Sequence, residues 1–424
     1  MFPTIALLAT LGGPVQTLDD AVRTAEAHQP QIRQAIANAQ AAEARVDQGR
    51  APLLPQVSGT AKYSRSTSNF APQPGASPRG SSGGNNSFDT TNYYNFGVTA
   101  TQLIYDFGQA TGRLEASRAM AEASHQSEEA LRQQIVAGTR QAFFTARAQK
   151  ELVKVAEQTV ANQKRHLEQV QGFVEVQTRP AIDLAQARLD MANAQLQLIT
   201  ARNGYSIAKA QLNQSMGVVR TAAYDVADDT LPPLPGEDGP IDPLVNEALG
   251  RADIVALQKQ IHAQELQIRA TRGAYGPTLS ASTSLTEAGG QLNSMAWNWS
   301  GMVTLNWPIF QGGITKAQVS EAQASLTGLQ AQLEGQRQQV RFAIDQARLS
   351  IDAAKATMEV AEVAITNANE RLGLAEGRYT AGVGNMIELG DAQLAATSAA
   401  AQRVQSEFTL ATARAQLLQA LGRR

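Results

Sequence analysis

The chain has 424 residues, of which 43% are hydrophobic, 5% aromatic and 17% charged, with a formal net charge of −2. That length allows two or three ordinary domains, but so lean an apolar and aromatic content suits long thin helices better than a thick enzyme core. The near-neutral balance offers no basic stripe for nucleic acid, and the absence of cysteine excludes a disulfide framework, a thiolate metal site and acylation on an N-terminal cysteine.

Residues 1–16 contain "TIALLATLGGPVQ", which resembles the centre and tail of a secretory signal without a preceding Lys or Arg. It is read as the remnant of a truncated or mis-started signal. No apolar run reaches the ~20 residues of a membrane-spanning helix, so any bilayer crossing must use strands.

From residue 17 onward the chain reads as one unit written twice. "GVTATQLIYDFG" (97–108) matches "GMVTLNWPIFQGG" (301–313), with Val98 meeting Val303, Ile104 meeting Ile309 and Gly108 meeting Gly313, a shift of 205. The shift persists without a gap through Leu167 and Leu372, Gly172 and Gly377, and Gly217 and Gly422. Before the strands, "RAPLLPQVSGT" matches "RGAYGPTLSAS" at a shift of 222, so the first copy carries 17 extra residues. They fall in the Gly/Ser/Pro/Asn loop 69–92.

The first repeat, 17–220, reads as a helix, strands at about 56–66 and 93–105, a long helix 109–175 and a helix 181–216. The second, 241–424, reads as a helix, strands at about 278–287 and 297–308, a long helix 313–377 and a helix 385–421. Between them, 221–240 holds "LPPLPGEDGP", a linker in which repeated proline blocks both helix and ladder.

In each strand large and small-polar residues alternate. "WNWSGMVTLNW" places Trp297, Trp299, Gly301, Val303, Leu305 and Trp307 on one face, and these are all three tryptophans of the chain. Ten residues separate Trp297 from Trp307. At ~3.3 Å per residue and a tilt of about 45° this is roughly 23 Å along a membrane normal, near the ~25 Å apolar band of outer-membrane barrels. A half-buried sheet in a soluble protein shows the same alternation. Against it, the opposite faces carry mostly small polar groups, and no other segment supplies an apolar cover. Four strands are too few for a barrel, which needs about eight, so several protomers must pool theirs.

The helices carry a second period. Ile344, Ile351, Met358, Ile365, Leu372 and Tyr379 recur every seven residues, with Ala347, Ala354, Ala361, Ala368 and Ala375 between them. Such a repeat specifies left-handed supercoiled packing with close approach at the alanines. His28, His125, His166 and His262 have no second ligand at metal spacing and read as solvated helix residues. Without a phosphate loop or nucleophile elbow, the sequence points to no enzyme, cofactor or metal.

The duplication, the strand-to-helix segments "LIYDFGQA" and "PIFQGGIT", and the turn segments "RPAIDLAQARLD" (179–190) and "RYTAGVGNMIELGDAQ" (378–393) together resemble the TolC-like outer membrane efflux family. The resemblance runs from about Leu18 to Gly422. It implies an α+β membrane protein: a homotrimer whose protomers give four strands each to one transmembrane β-barrel and their long helices to a coiled-coil α-barrel. The linker would lie in an equatorial region. The tube would sit in outer membrane lipid of a Gram-negative bacterium and extend into the periplasm. It would serve as a passive exit duct for efflux, including multidrug export, or type I secretion, joined through a periplasmic adaptor to an inner-membrane pump or ABC exporter.

Residue by residue, the resemblance implies a periplasmic gate at Glu388, Asp391, Asp183 and Tyr379. Adaptor docking would fall on the turns at Gln177, Thr178, Arg179, Pro180, Gly382, Val383 and Gly384, and a membrane aromatic belt on Trp297, Trp299, Trp307, Tyr63 and Tyr105. The i, i+3 spacing of Glu388 and Asp391 puts both on one helix face, where threefold symmetry would stack two carboxylate rings. Carboxylates in a first helical turn also simply complement the dipole. A member of that family carries an arginine where this chain has Gly384, which predicts a weaker or different latch. Two other readings compete: a periplasmic coiled-coil structural or adaptor protein without a membrane barrel, and a hydrolase with a helical arm, which lacks a catalytic constellation.

Overall fold

The computed structural model describes residues 15–67, 90–219 and 224–423. Most of the signal remnant and of the 69–92 loop therefore lies outside the described residues. In chain order the elements are β1 (Val15–Gln16), α1 (Leu18–His28), α2 (Pro30–Arg50), β2 (Gln56–Thr67), β3 (Thr90–Tyr105), α3 (Gln109–Glu175) and α4 (Ala181–Met216). Then come β4 (Asp225–Val226), α5 (Ile241–Ala248), α6 (Ala252–Gly273), β5 (Thr278–Gly289), β6 (Ala296–Asn306), α7 (Ile314–Thr380) and α8 (Met386–Leu421).

The duplication is written into the backbone. Helices α3 and α7 have 67 residues each and α4 and α8 have 36, and every matching end lies 205 residues apart. Positive φ recurs at the same shift: Phe107 with Gly312, Gly108 with Gly313, Gln177 with Gly382, and Gly217 with Gly422. The second copy uses glycine at all four, whereas the first tolerates a side chain at Phe107 and Gln177, a conformation costing of order 1 kcal/mol or more. Backbone geometry has thus outlasted side-chain divergence. The long helices run because no proline interrupts them, and α4 and α8 stop at Gly217 and Gly422, whose left-handed conformation closes the last turn.

Two compact units form, one from residues 1–38, 125–256 and 333–424, the other from 39–124 and 257–332. Each draws on both repeats. The second holds an antiparallel sheet in the order β2-β3-β5-β6. Its register aligns the large side chains of all four strands: Val57, Gly59, Ala61 and Tyr63 lie across from Ala100, Val98, Phe96 and Tyr94. Val98 in turn meets Leu285, and Leu285 meets Trp299. The opposite face carries Ser58, Thr60, Thr99, Ser282, Ser284, Thr286, Asn298 and Ser300, with Ser284 and Ser300 hydroxyls 2.7 Å apart. A bulge between Leu103 and Tyr105 shifts the register at one end. Strand β6 ends at Asn306 rather than 308, since Pro308 has no N–H for the ladder. Trp307, just past it, donates its indole N–H to the Tyr275 carbonyl at 3.3 Å. The helical part of this unit packs through alanine: Ala116, Ala119, Ala263 and Leu266 form its buried cluster.

In the first unit, the seven-residue repeat faces inward. Ile344, Ile351 and Tyr379 are buried and Met358, Ile365 and Leu372 half-buried, while Ala347, Ala354, Ala361 and Ala375 are buried beside them. Two related cores result, one around Phe143, Phe144, Leu212 and Met216, the other around Ile254, Ile344, Ile351, Leu417 and Leu421. Each large side chain so buried contributes about 1.5–3 kcal/mol.

Several contacts tie the Pro-rich linker to this unit, Lys150 with Asp225 and Asp228 and Lys355 with Asp238 among them, and the most buried of its carboxylates is Glu237. Glu237, only 2% exposed, takes the Arg414 guanidinium in a fork at 3.1 and 3.2 Å, Lys355 Nζ at 2.7 Å and the Leu234 N–H at 2.8 Å. Burial alone would raise its pKa, but these donors outweigh burial and hold it at about 2. Arg414 also donates to the Leu231 carbonyl at 2.8 Å and Arg348 to the Glu237 carbonyl at 3.3 Å.

Candidate functional site

Two turns, residues 176–180 between α3 and α4 and 381–385 between α7 and α8, sit side by side at the ends of four helices. In the first, the N–H and the hydroxyl of Thr178 both donate to the Phe173 carbonyl at 2.9 Å, and Gln177 takes positive φ. In the second, Val383 and Gly384 N–H groups converge on the Arg378 carbonyl at 3.1 and 2.9 Å, with Gly382 at φ 80°. Asn385 then caps α8, its side chain accepting from the Glu388 N–H at 2.7 Å.

Gly384 has a steric reason to be glycine. A Cβ there would come within 2.9 Å of the Tyr379 nitrogen and 3.0 Å of the Arg378 carbonyl carbon, both backbone atoms that cannot swing away. An arginine at this position would force the turn open. The link is instead supplied from the opposite turn: Arg179 Nη2 donates to the carbonyls of Gly384 at 3.1 Å and Tyr379 at 3.3 Å, while its guanidinium lies 4.6 Å from the centre of the Tyr379 ring. One side chain therefore bonds and stacks across both turns.

Tyr379 is buried among Val170, Leu389 and Ala187, with His166 edge-on at 5.4 Å and Phe173 at 6.3 Å between ring centres. Among the described residues its hydroxyl has no hydrogen-bond partner, so no bond joins it to Asp183 within the chain. Burial first, then the negative charge of Asp183, pushes its pKa up. His166 departs from the expectation of a solvated residue, which His28, His125 and His262 do meet. It is 5% exposed, its Nε2 lies 3.2 Å from Met386 Sδ, and burial depresses its pKa against the opposing pull of Asp190 and Asp183.

The acidic residues are spread around these turns. Glu388 is half-exposed, 3.5 Å from Arg378 Nη1, whereas Asp391 is exposed and lines a cleft together with Asp183. Val176, Ile182, Val383 and Ile387 stand 68–73% exposed around the two tips. Arg179 was legible in the sequence only as a turn residue before a proline, and its reach to the other turn is a tertiary fact. The Gln163–Gln393 side-chain bond of 2.9 Å, buried between α3 and α8, left no periodic signal. Among the described residues no group of three His, Asp or Glu has the geometry to hold a metal ion, and no helix is long and apolar enough to cross a membrane.

A model of the outer membrane efflux protein family matches residues 21–218 and 244–423. The chain belongs to that family. Outer membrane protein OprJ of Pseudomonas aeruginosa is 25% identical over 376 residues, covering 85% of this chain and 74% of its own. Outer membrane protein TolC of Escherichia coli is 24% identical over 390 residues, covering 86% and 73%. The crystal structure of a membrane protein from Pseudomonas aeruginosa superposes with a TM-score of 0.83 at 22% identity, over 97% of this chain and 93% of that one, which extends the likeness to the whole fold.

The fold class expected from the duplicated sequence is therefore that of this outer membrane efflux protein. In it the aromatic side chains of the sheet gather at two levels. Tyr63 and Tyr94 stack at 5.0 Å in the row that holds Gly289, one pleat beyond the row of Phe96, Glu287 and Trp297. At the other end Tyr105 meets Phe107 at 5.0 Å near Trp307. Trp299 stands one pleat inside the first level and donates its indole N–H to Thr283 Oγ1 at 3.0 Å.

Proposed function

We propose that three copies of this outer membrane efflux protein pool their strands into a twelve-stranded barrel and form a passive exit duct. Its periplasmic end would be closed by the paired turns. The observation that carries the reading is the sheet: one face is mostly large and apolar through all four strands, with Glu287, Gln102 and Thr283 as its polar members, the other is mostly small and polar, and among the described residues β2 and β6 each have a single partner. An exposed edge with a row of unpaired N–H and C=O groups is satisfied by a second copy of the same sheet, and closure leaves no edge in lipid. The two aromatic levels match the two bilayer interfaces.

In the trimer Glu388 and Asp391 would form stacked carboxylate rings at the mouth, favouring cations and resisting full ionisation at close range. Energy would come from an inner-membrane pump or ABC exporter through a periplasmic adaptor. The exposed Val176, Ile182, Val383 and Ile387 around the turns supply an apolar crown on which helical tips of such an adaptor could seat. The link made by Arg179 would tie the two turns of one protomer together and so limit how far α7 and α8 can swing from α3 and α4.

Two measurements test this. The detergent-extracted protein should partition with the outer membrane and have three times the 45.2 kDa chain mass by light scattering; a monodisperse monomer in the absence of detergent would end the proposal. Arg179→Met, which keeps bulk and removes the donors, should raise single-channel conductance in planar bilayers by roughly two-fold or more if it releases one discrete arrangement of the turns. Unchanged conductance would show that Arg179 is not part of the latch.

A further inference from the structure

Helices α3, α4 and α8 line an open cleft of about 630 Å³ beside the turns, within the size range of pockets for small organic ligands. Three carboxylates line it, Asp183, Asp190 and Asp391, and none of its sixteen lining residues is Lys, Arg or His. Only Asp190 has a described side-chain partner, the amide of Gln186, which donates at 2.9 Å. The same walls carry exposed apolar side chains, Ile387 and Leu394, at 73% and 66% exposure.

A second, independent feature lies in the wall of the same cleft. Gln163 lines the cleft, is 8% exposed, and spends its amide N–H on Gln393, so its own Oε1 is left buried without a partner. An orphaned buried carbonyl costs about 1–3 kcal/mol, a cost relieved by a ligand that donates a hydrogen bond or brings positive charge. The negative field of the cleft already reaches through its wall, since Asp190 and Asp183 act on the buried imidazole of His166.

We infer that this cleft is a binding site for an organic cation with an apolar body. The carboxylates and the Gln163 carbonyl would face the charge, and Ile387 and Leu394 would cover the hydrocarbon. A hydrated inorganic ion would use the carboxylates and leave the apolar wall in water, so the two chemistries separate by which residues matter. The site lies within one chain and does not depend on the tube being gated; the mass measurement above and the binding measurement below fail independently.

The test is equilibrium dialysis of the full-length detergent-solubilised protein with tetraphenylphosphonium, and separately with Mg²⁺. One saturable site per chain is expected for the organic cation. Asp190→Asn and Ile387→Ser should each weaken it roughly three- to tenfold, while Glu376→Gln, an exposed carboxylate outside the cleft, leaves it unchanged. Should Asp190→Asn fail to fold, Asp183→Asn serves in its place. Binding weakened equally by Glu376→Gln, binding of Mg²⁺ alone, indifference to Ile387→Ser, or no saturable binding would each overturn the proposal.

Discussion

Val303→Lys, at mid-height on the apolar face of β6, is expected to cost the assembled protein about 2–4 kcal/mol, the penalty for a lysine at the bilayer midplane on a barrel's lipid side. Val303 is 66% exposed, with Ala281 across the ladder, so little contact within the chain would be lost and the effect reports mainly what touches that face. Ser282→Lys, one residue along the ladder from Ala281 and on the other face, should cost far less because its ammonium stays in water. Urea unfolding of protein reconstituted in vesicles reads both. Equal tolerance of lysine on the two faces would mean that neither meets lipid, and the twelve-stranded barrel would fall with it.

Glu237→Ala is expected to destabilise the helical unit by roughly 3–5 kcal/mol, since it leaves the buried Arg414 guanidinium without a carboxylate, while Lys355 keeps only Asp238 at 2.7 Å. Arg414→Ala should cost less, because Glu237 keeps Lys355. The same group sets an acid limit. Its folded pKa of about 2 lies below the ordinary 4.5, so its contribution is complete above about pH 4.5 and is lost as pH falls toward 2. Thermal melts across that range should show a falling midpoint in the native protein and a flatter profile in Glu237→Gln, where nothing titrates at this position. Parallel profiles would assign the acid sensitivity to other carboxylates.

Much of the architecture was open to reading before any coordinates, for a physical reason that differs by element. Strand alternation and heptads are local rules of backbone period, so the large faces of β2, β3, β5 and β6 and the inward ridge from Ile344 to Tyr379 follow from side-chain size and spacing alone. The constant shift of 205 made the duplication visible, and the backbone keeps the same positive-φ positions in both copies, with Phe107 and Gln177 standing where the second copy has glycine.

The contacts at the turns obey no such period. Gly384 is glycine because the backbone of Arg378 and Tyr379 passes too close for a Cβ, and its carbonyl accepts from Arg179 on the other turn. His166 looked like one more solvated histidine until helix packing brought Met386 and Tyr379 over it. Glu237 was one acid in a proline-rich linker, with partners 118 and 177 residues away. By itself, then, the sequence determined which faces are apolar, roughly where the long helices run, and that the unit occurs twice, since those depend on neighbours three, four or seven residues apart; the single helix read before each strand pair is two in the structure, α1 and α2 in the first copy and α5 and α6 in the second. Only the tertiary structure decided which charge meets which, because electrostatic and hydrogen-bond partners are chosen by a few ångströms of distance across helices that the chain order does not place side by side.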